Sequence, residues 1–388
     1  MKNNIWEVSA EICVGCGACV ATCPVDAVSM QEKDCFYYPV VDETKCIDCG
    51  KCKKSCAVLA KDPKREKGLA WYAGYIEPAK MSTHSTSGGI CTELTKQYIL
   101  EGHNVYAAAF DGNWNLSHRR VEGLEELETF SGSKYLQSSI SKEIYEEIAC
   151  KLKNGEKCLF IGTPCQVGGL AEYLRTNKAH TEKLLTVDFM CHGAPSPVLG
   201  QRFIKHLENK TRKKITYYNF RSKAYGWGRL ERTLEFADGS KKMVSASICP
   251  LHGWFGRHLS VRKSCFDCAY RTKERVSDIT VADFWGVNKH YPHIPTKQGI
   301  SAIQVNTEKG ETVYDYLVRE CNLVSYEVVQ EHFWDRKTPL NNYPRPEGYD
   351  AFWENAKSLP IGALIKKFPP QTKIGYVKQF VKSILGRH

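Results

Sequence analysis

The sequence has no run of about 18 apolar residues, so no segment of it is read as a membrane-spanning helix. Met1–Ala10 carries neither an apolar stretch nor a small-residue cleavage site, which argues against secretion. There is no G-x-G-x-x-G following a strand; Gly162–Gly169 resembles one only superficially, so no nicotinamide dinucleotide site of that type is expected. A basic patch interleaved with aromatics in a recognisable module is also missing, and no nucleic-acid partner is expected. The net charge of +11 does not change this, because it is uneven: Ile361–His388 holds six Lys/Arg and no acid, whereas Met1–Ala60 holds eight acids against six bases.

What the chain has in excess is cysteine, 18 residues of 388. Hydrophobic content of 42% and charged content of 25% are those of an ordinary folded protein rather than a disordered one. With no sign of export, the expected compartment is the cytoplasm, where so many cysteines point to metal sites or thiol chemistry rather than disulfides.

The length allows two or three domains. Residues 1–60 are short, cysteine-dense and built on a repeat. Residues 61–67, charged and containing Pro63, read as a linker. Residues 68–212 read as an α/β unit. Helices are expected over Thr92–Leu100, Ser141–Leu152 and up to Glu172–Arg175, each followed by a strand, at Asn104–Phe110, Lys157–Ile161 and Leu184–Phe189. Residues 213–330 are richer in strands: Arg229–Phe236 and Lys241–Ser247 flank Asp238-Gly239, a hairpin signal, and Asp278–Phe284 and Ile300–Asn306 read as buried strands. Residues 331–388 read as an extended wrap around Trp334, Pro339, Tyr343, Pro344, Pro346, Tyr349 and Trp353. A tail helix, Thr372–His388, then carries Val377, Phe380, Val381, Ile384 and Leu385 on one face and Lys373, Lys378, Lys382 and Arg387 on the remainder. Such a helix suits docking on protein or peripheral contact with the inner face of a membrane.

The repeat is Cys13-x2-Cys16-x2-Cys19-x3-Cys23-Pro24, recurring 33 residues later as Cys46-x2-Cys49-x2-Cys52-x3-Cys56. Three cysteines so spaced wrap one 4Fe–4S cubane, and the fourth of each motif reaches the other cluster. This assigns Cys13, Cys16, Cys19 and Cys56 to one cluster and Cys46, Cys49, Cys52 and Cys23 to a second. Zinc sites use separated CxxC pairs instead. Ala57 stands where the first motif has Pro24, a departure that leaves every ligand in place. Over residues 1–60 the chain resembles a two-cluster bacterial-type ferredoxin domain. Cys35, between the motifs, has no partner spacing and reads as a buried small hydrophobe.

Four more cysteines follow strands or form a pair: Cys165, Cys191 and Cys265-x2-Cys268. Loops beyond the carboxyl ends of strands are the usual place for sites in an α/β sheet. Four thiolates there suit a third 4Fe–4S cluster or a zinc ion, with buried structural cysteines as the alternative. The segments Ser85–Gly89 (STSGG), Gly132–Tyr135 (GSKY), Gly162–Gln166 (GTPCQ), Cys191–Gly193 (CHG), the Cys265/Cys268 pair and Ser277–Gly286 (SDI, then DFWG) together resemble the beta-subunit family of coenzyme F-420 hydrogenases and dehydrogenases, over about residues 1–330.

The resemblance implies an iron–sulfur flavoprotein oxidoreductase, in which an α+β ferredoxin-like N-terminal domain precedes an α/β flavin-binding domain with a strand-rich C-terminal part. It implies a third cluster on Cys165, Cys191, Cys265 and Cys268, and FAD bound near Ser87, Gly88, Gly89 and Lys134, where Ser85–Gly89 leads into a helix. It further implies a redox partner protein or ferredoxin and, in archaeal relatives, the deazaflavin coenzyme. His192 and Asp283 are the candidate proton-handling residues. Two alternatives stay open: a ferredoxin-like electron carrier without its own catalysis, and a ferredoxin- and flavin-dependent reductase of a specific metabolite, for example in polysaccharide biosynthesis.

Overall fold

The computed structural model describes residues 3–60, 64–77, 84–224, 226–228, 231–334 and 340–370. The expected tail helix Thr372–His388, part of the linker (61–63), Pro339 and the first two residues of the expected strand at 229 lie outside these.

The cysteine-rich segment places two one-turn helices, α1 (Ala18–Ala21) and α2 (Lys51–Lys54), on either side of an antiparallel hairpin, β1 (Val28–Lys33) and β2 (Phe36–Val41). The two repeats fold alike. Gly17 and Gly50, each following the second cysteine of its motif, both adopt left-handed φ (87° and 73°) and open α1 and α2, which carry Cys19 and Cys52. A side chain at Gly17 would also meet Ile140 O at 2.7 Å. Only glycine takes that conformation without penalty. The β1–β2 loop is the dipeptide Asp34-Cys35, both at positive φ, the backbone of a tight primed turn. Cys35 is thus a buried turn residue, 6% exposed.

In chain order the rest comprises β3 (Ala70–Ile76), α3 (Ile90–Leu100), β4 (Asn104–Phe110), β5 (Leu116–Arg120), α4 (Leu127–Phe130), α5 (Lys142–Lys153), β6 (Cys158–Gly162), α6 (Pro164–Thr176), β7 (Leu184–Phe189) and α7 (Pro197–Thr211). A meander follows, β8 (Ile215–Ser222), β9 (Glu231–Phe236) and β10 (Lys241–Ser245), turning at Asp238-Gly239, then α8 (Pro250–Gly256). The chain returns through β11 (Ile279–Asp283), β12 (Ser301–Val305), α9 (Glu308–Glu320), β13 (Leu323–Glu327) and α10 (Gln330–Trp334), and ends on α11 (Tyr349–Ser358) and α12 (Ile361–Lys367).

Eight strands form one mixed sheet in the order β13-β3-β12-β11-β7-β6-β4-β5. Its centre, β4-β6-β7-β11, is parallel, and the flanking strands are antiparallel. Alternation along the strands serves both faces. Val105, Ala107 and Ala109 of β4 pack with Ile90 and Leu94 of α3 and Leu317 of α9. Tyr106 packs on the other face with Tyr145 and Ile148 of α5, Val167 and Leu170 of α6, and Ala18 and Ala21 of α1. The cysteine-rich unit therefore docks on the helix layer formed by α5 and α6. The carboxyl ends of the parallel strands β6, β7 and β11 lie at one edge, the usual place for sites in such a sheet.

The expected wrap holds only for residues 340–348. From Tyr349 the chain is helical, because Gly348 (φ 82°) opens α11 and Tyr349, Phe352, Trp353 and Ala356 recur on one buried face. Trp353 packs on Phe36, ring centroids 5.1 Å apart, so this helix ties the far end of the chain to the β1–β2 hairpin. Among the described residues no helix is long and apolar enough to cross a membrane.

Candidate functional site

Cys13, Cys16, Cys19 and Cys56 line one small apolar cavity walled by Ile5, Val8, Met30 and Pro39. Burial pushes the Cys16 thiol up to about 12, and the charges of Cys56 and Cys13 add to the shift. Cys19 is raised well above the ordinary thiol value by burial first, then by Cys16, Cys13 and Cys56. Such thiols become thiolates only against a cationic centre. Cys23, Cys46 and Cys52 share a second apolar cluster with Ile5, Ala27 and Val41. Burial raises Cys52, and Cys23 and Cys49 are among the charges acting on it. Two donors reach sulfur here: Ala27 N–H to Cys23 Sγ at 3.2 Å and Asn4 Nδ2 to Cys46 Sγ at 3.6 Å. Cys49 is exposed at the surface.

A cavity of about 350 Å³ opens at the carboxyl edge of the sheet, and Cys165, Cys191, Cys265 and Cys268 all line it. Each arrives on a different device. Cys165 sits in the first turn of α6, started by a capping box between Thr163 and Gln166 with Pro164 at the first position. Cys191 follows β7. Cys265 and Cys268 lie on the segment that leads to β11. Burial raises Cys165, with the charges of Cys268 and Cys191 next. Burial likewise lifts Cys191 to about 12, reinforced by Cys265. Burial also takes Cys265 to about 11, although the Ala194 N–H, 3.3 Å from its sulfur, pulls the other way. Gly193 N–H stands 3.4 Å from Cys191 Sγ, and the Thr163 hydroxyl 3.2 Å from Cys165 Sγ. Four sulfurs around one cavity, with N–H donors at Cys191 and Cys265 and a hydroxyl at Cys165, fit a group that thiolates hold together. Among the described residues no three His, Cys, Asp or Glu close up tightly enough to chelate a single metal ion; sulfurs facing the corners of a cubane need only surround a common space.

The same cavity is lined by the N-terminus of α3 and by Ser131–Gln137. Gly89 (φ 82°) is the N-cap and offers no side chain to the first-turn N–H groups. Those donors remain for an anion, which suits the pyrophosphate of a dinucleotide. Lys134 Nζ turns onto the carbonyls of Phe130 (3.0 Å) and Ser131 (2.9 Å), and burial lowers its pKa to about 7.

Of the neighbouring residues, Ser87 also lines the cavity, and Gly88 packs behind it. The Ser87 hydroxyl donates to Ile300 O at 2.7 Å. Gly88 is wedged between strands, where a side chain would meet Ser301 N at 2.9 Å. Both serve to seat the α3 N-terminus on β3 and β12. His192 and Asp283 line the cavity. The carboxylate of Asp283 pairs with Arg221 and accepts from Trp227 Nε1 at 3.0 Å, an ion pair that ties it to β8. His192 accepts at its carbonyl from the Tyr343 hydroxyl at 2.8 Å.

Several residues not singled out from the sequence prove central. Gly169 of α6 abuts Cys16: a side chain there would meet its Sγ at 2.8 Å. Tyr270, between Cys16 and Cys165, donates to Ala57 O at 2.8 Å, and Tyr145 donates to Cys16 O at 2.8 Å. Arg262 and Arg271 bracket the Cys265/Cys268 pair at three-residue spacing, R-x2-C-x2-C-x2-R, a linear signal that the cysteines overshadowed. Arg275 and Asp188 form a buried ion pair at 3.0 Å beneath the cavity.

Residues 155–330 match the family described as the C terminus of the coenzyme F420 hydrogenase/dehydrogenase beta subunit. Residues 12–60 match the 4Fe-4S dicluster domain. An uncharacterized protein of Methanocaldococcus jannaschii is 26% identical over 208 residues, which are 46% of this chain and 56% of that relative, so the match spans little more than half the relative's length. A solved structure of the F420-reducing NiFe hydrogenase complex of Methanosarcina barkeri, a xenon derivative, aligns with 79% of this chain and 93% of its own, at 15% identity and a TM-score of 0.41.

Proposed function

We propose that this chain, whose residues 155–330 match the C terminus of the coenzyme F420 hydrogenase/dehydrogenase beta subunit and whose residues 12–60 match a 4Fe-4S dicluster domain, is an iron–sulfur flavoprotein oxidoreductase that passes electrons between 4Fe–4S clusters and FAD. The observation that carries this reading is the single cavity of about 350 Å³ that four cysteines share with an uncapped helix N-terminus. In it a third cluster would be held by Cys165, Cys191, Cys265 and Cys268, and a dinucleotide pyrophosphate by the first turn of α3.

When bound, the clusters move single electrons and the flavin exchanges pairs with a two-electron partner. The chain's own part is positional. Gly193, Ala194 and Thr163 direct donors at the sulfurs of Cys191, Cys265 and Cys165. Gly169 lets α6, the helix bearing Cys165, close directly on Cys16, a ligand of the first ferredoxin cluster in this reading. Tyr270 and Tyr145 lock that contact through the carbonyls of Ala57 and Cys16. The exposed side of the cysteine-rich unit, at Cys49, suits exchange with a redox partner protein.

The test is the iron, acid-labile sulfide and flavin content of anaerobically purified protein. About twelve irons and one FAD per chain are expected, four irons for each cluster. About eight irons without flavin would leave a ferredoxin on a docking scaffold and sink the reading. Cys165→Ala should remove about four irons and spare the other eight.

A further inference from the structure

Arg262 is 1% exposed, and its guanidinium is turned inward. Its Nε donates to Cys13 O at 2.7 Å, its Nη1 to Gln137 Oε1 at 2.9 Å, and its Nη2 to Tyr37 O at 2.7 Å and towards Cys13 Sγ at 3.6 Å. The plane lies over the Tyr38 ring, 4.2 Å from its centroid. All but Gln137 of these partners belong to the ferredoxin unit, and Cys13 is 249 residues away from Arg262 in the chain. On its other side Arg262 lines the large cavity together with Cys265, whose backbone N–H donates to Arg262 O at 3.0 Å. Ser264, between the two, also donates to Cys13 O at 2.9 Å.

A buried guanidinium in this position has no carboxylate partner among the described contacts. Burying an unpaired cation is unfavourable, and folded proteins pair it with an anion. Among the described residues, what it faces instead is cysteine sulfur: Cys13 Sγ at 3.6 Å on one side, and on the other the cavity that Cys265 lines. Arg271, at the mirror position beyond Cys268, acts on Cys191 and Cys265 instead.

We propose that Arg262 is a positioning residue shared by two cluster sites, the Cys13–Cys16–Cys19–Cys56 site and the Cys165–Cys191–Cys265–Cys268 site. It clamps one against the other and holds the reduction potentials of both above those they would have without it. The inference rests on the cluster assignments made above. Adding an electron to a cluster adds a negative charge, so a fixed cation and an N–H donor beside its sulfurs favour the reduced form. At the Cys46–Cys49–Cys52–Cys23 site the side-chain donor to sulfur is the neutral amide of Asn4. Arg262 thus makes the two inner sites better electron acceptors relative to the outer one, and biases electrons that enter at the exposed end to move inward.

The experiment is a redox titration followed by electron paramagnetic resonance on the full chain as wild type, Arg262→Gln, Arg262→Lys and Ser264→Ala, with iron counted on each. Arg262→Gln keeps hydrogen-bonding groups and removes the charge. It should lower the potentials of two of the three clusters by a tenfold change in the reduction equilibrium or more, about 59 mV for one electron, and leave the third unmoved. Ser264→Ala removes a hydrogen bond to the same carbonyl without touching charge and should shift nothing. If Arg262→Gln does not retain its iron, Arg262→Lys reads the same shift in smaller degree, its charge standing further from Cys13. Unchanged potentials in an iron-replete Arg262 variant, an equal shift of all three clusters, or an equal shift in Ser264→Ala would each overturn the proposal. A wild type with eight irons would instead remove the third-cluster assignment. The shift of one ferredoxin cluster against the other would still decide the role of Arg262 at Cys13.

Discussion

The two cysteine constellations of this protein are built in opposite ways. In residues 13–56 the ligand-type cysteines are neighbours in sequence, and glycines at left-handed φ fold each loop locally. The second set is drawn from three separate segments: the start of α6, the end of β7 and the 265–268 pair. Nothing local holds these together; the sheet does. β7 runs parallel to β6, which brings Cys165 and Cys191 to one edge, and the bridge of Ser260–Arg262 to Ala194–Ser196 carries the 265–268 pair up to them. A contiguous site depends on its own loops, whereas an assembled site depends on the tertiary structure under it. Damage to the packing beneath the sheet edge should therefore separate the two.

The largest effect is expected at Arg275. Its Nη2 pairs with Asp188, the pair being 4% and 0% exposed, and the same guanidinium donates to Thr272 O and Thr280 Oγ1, both at 3.2 Å. It thereby joins the end of β7 to the segment between Cys268 and β11. Arg275→Met leaves Asp188 buried without its partner and should cost about 3–5 kcal/mol in chemical denaturation. It should also strip the irons assigned to the second constellation while the irons of residues 13–56 remain. Loss of iron from both sites in equal measure would show that they are not independent in the way their construction suggests.

A smaller effect tests the seam between them. Gly169 faces Cys16 and Gly168 faces Tyr270, so α6 can approach the ferredoxin loop only because it lacks side chains at these positions. In a helix Gly→Ala normally stabilises, by about 0.5–1 kcal/mol. At Gly169 the new methyl group must displace Cys16 or α6, and overpacking of that kind costs about 1–3 kcal/mol. Gly169→Ala should lower the melting temperature, and Gly256→Ala, where a side chain meets nothing within 4 Å, should not. Equal melting temperatures for the two variants would mean that the seam yields freely.

How much of this could be read in advance follows the same division. The cysteine repeat is a linear spacing, and its glycines fall where the backbone needs them. β4 and β7 begin and end at the residues that their apolar patterns indicated, Asn104–Phe110 and Leu184–Phe189, because central parallel strands are buried along most of their length. The loops after β6 and β7, marked in the sequence, both line the large cavity. What was hidden is long-range pairing. Nothing near Ser87 indicates that its hydroxyl is taken by Ile300, 213 residues on, or that Asp283 is held by Arg221. The run of prolines before Tyr349 masked a helix whose apolar face becomes visible only once Phe36 is present to receive it.

The last effect, read as a slope in pH rather than a loss of iron or structure, belongs to Lys134, and it distinguishes the assembled cavity from the local loops by a titratable cation turned inward. Burial lowers its pKa from the ordinary lysine value to about 7, while the unfolded chain keeps the ordinary value, about 10.4. Between these values the unfolded state binds more protons than the folded one, so stability rises with pH across that window and is lowest below pH 7, where the buried group must carry its charge. Lys134→Met, which removes the proton uptake, should gain most over wild type near pH 6 and progressively less towards pH 9.5, in denaturant midpoints measured at each pH. The gain should also shrink when FAD is added to saturation at pH 7, since a pyrophosphate beside the ammonium would restore its charge without penalty. A wild type and variant that differ by the same amount at every pH would mean that Lys134 is charged in the folded protein throughout, satisfied by the carbonyls of Phe130 and Ser131 alone.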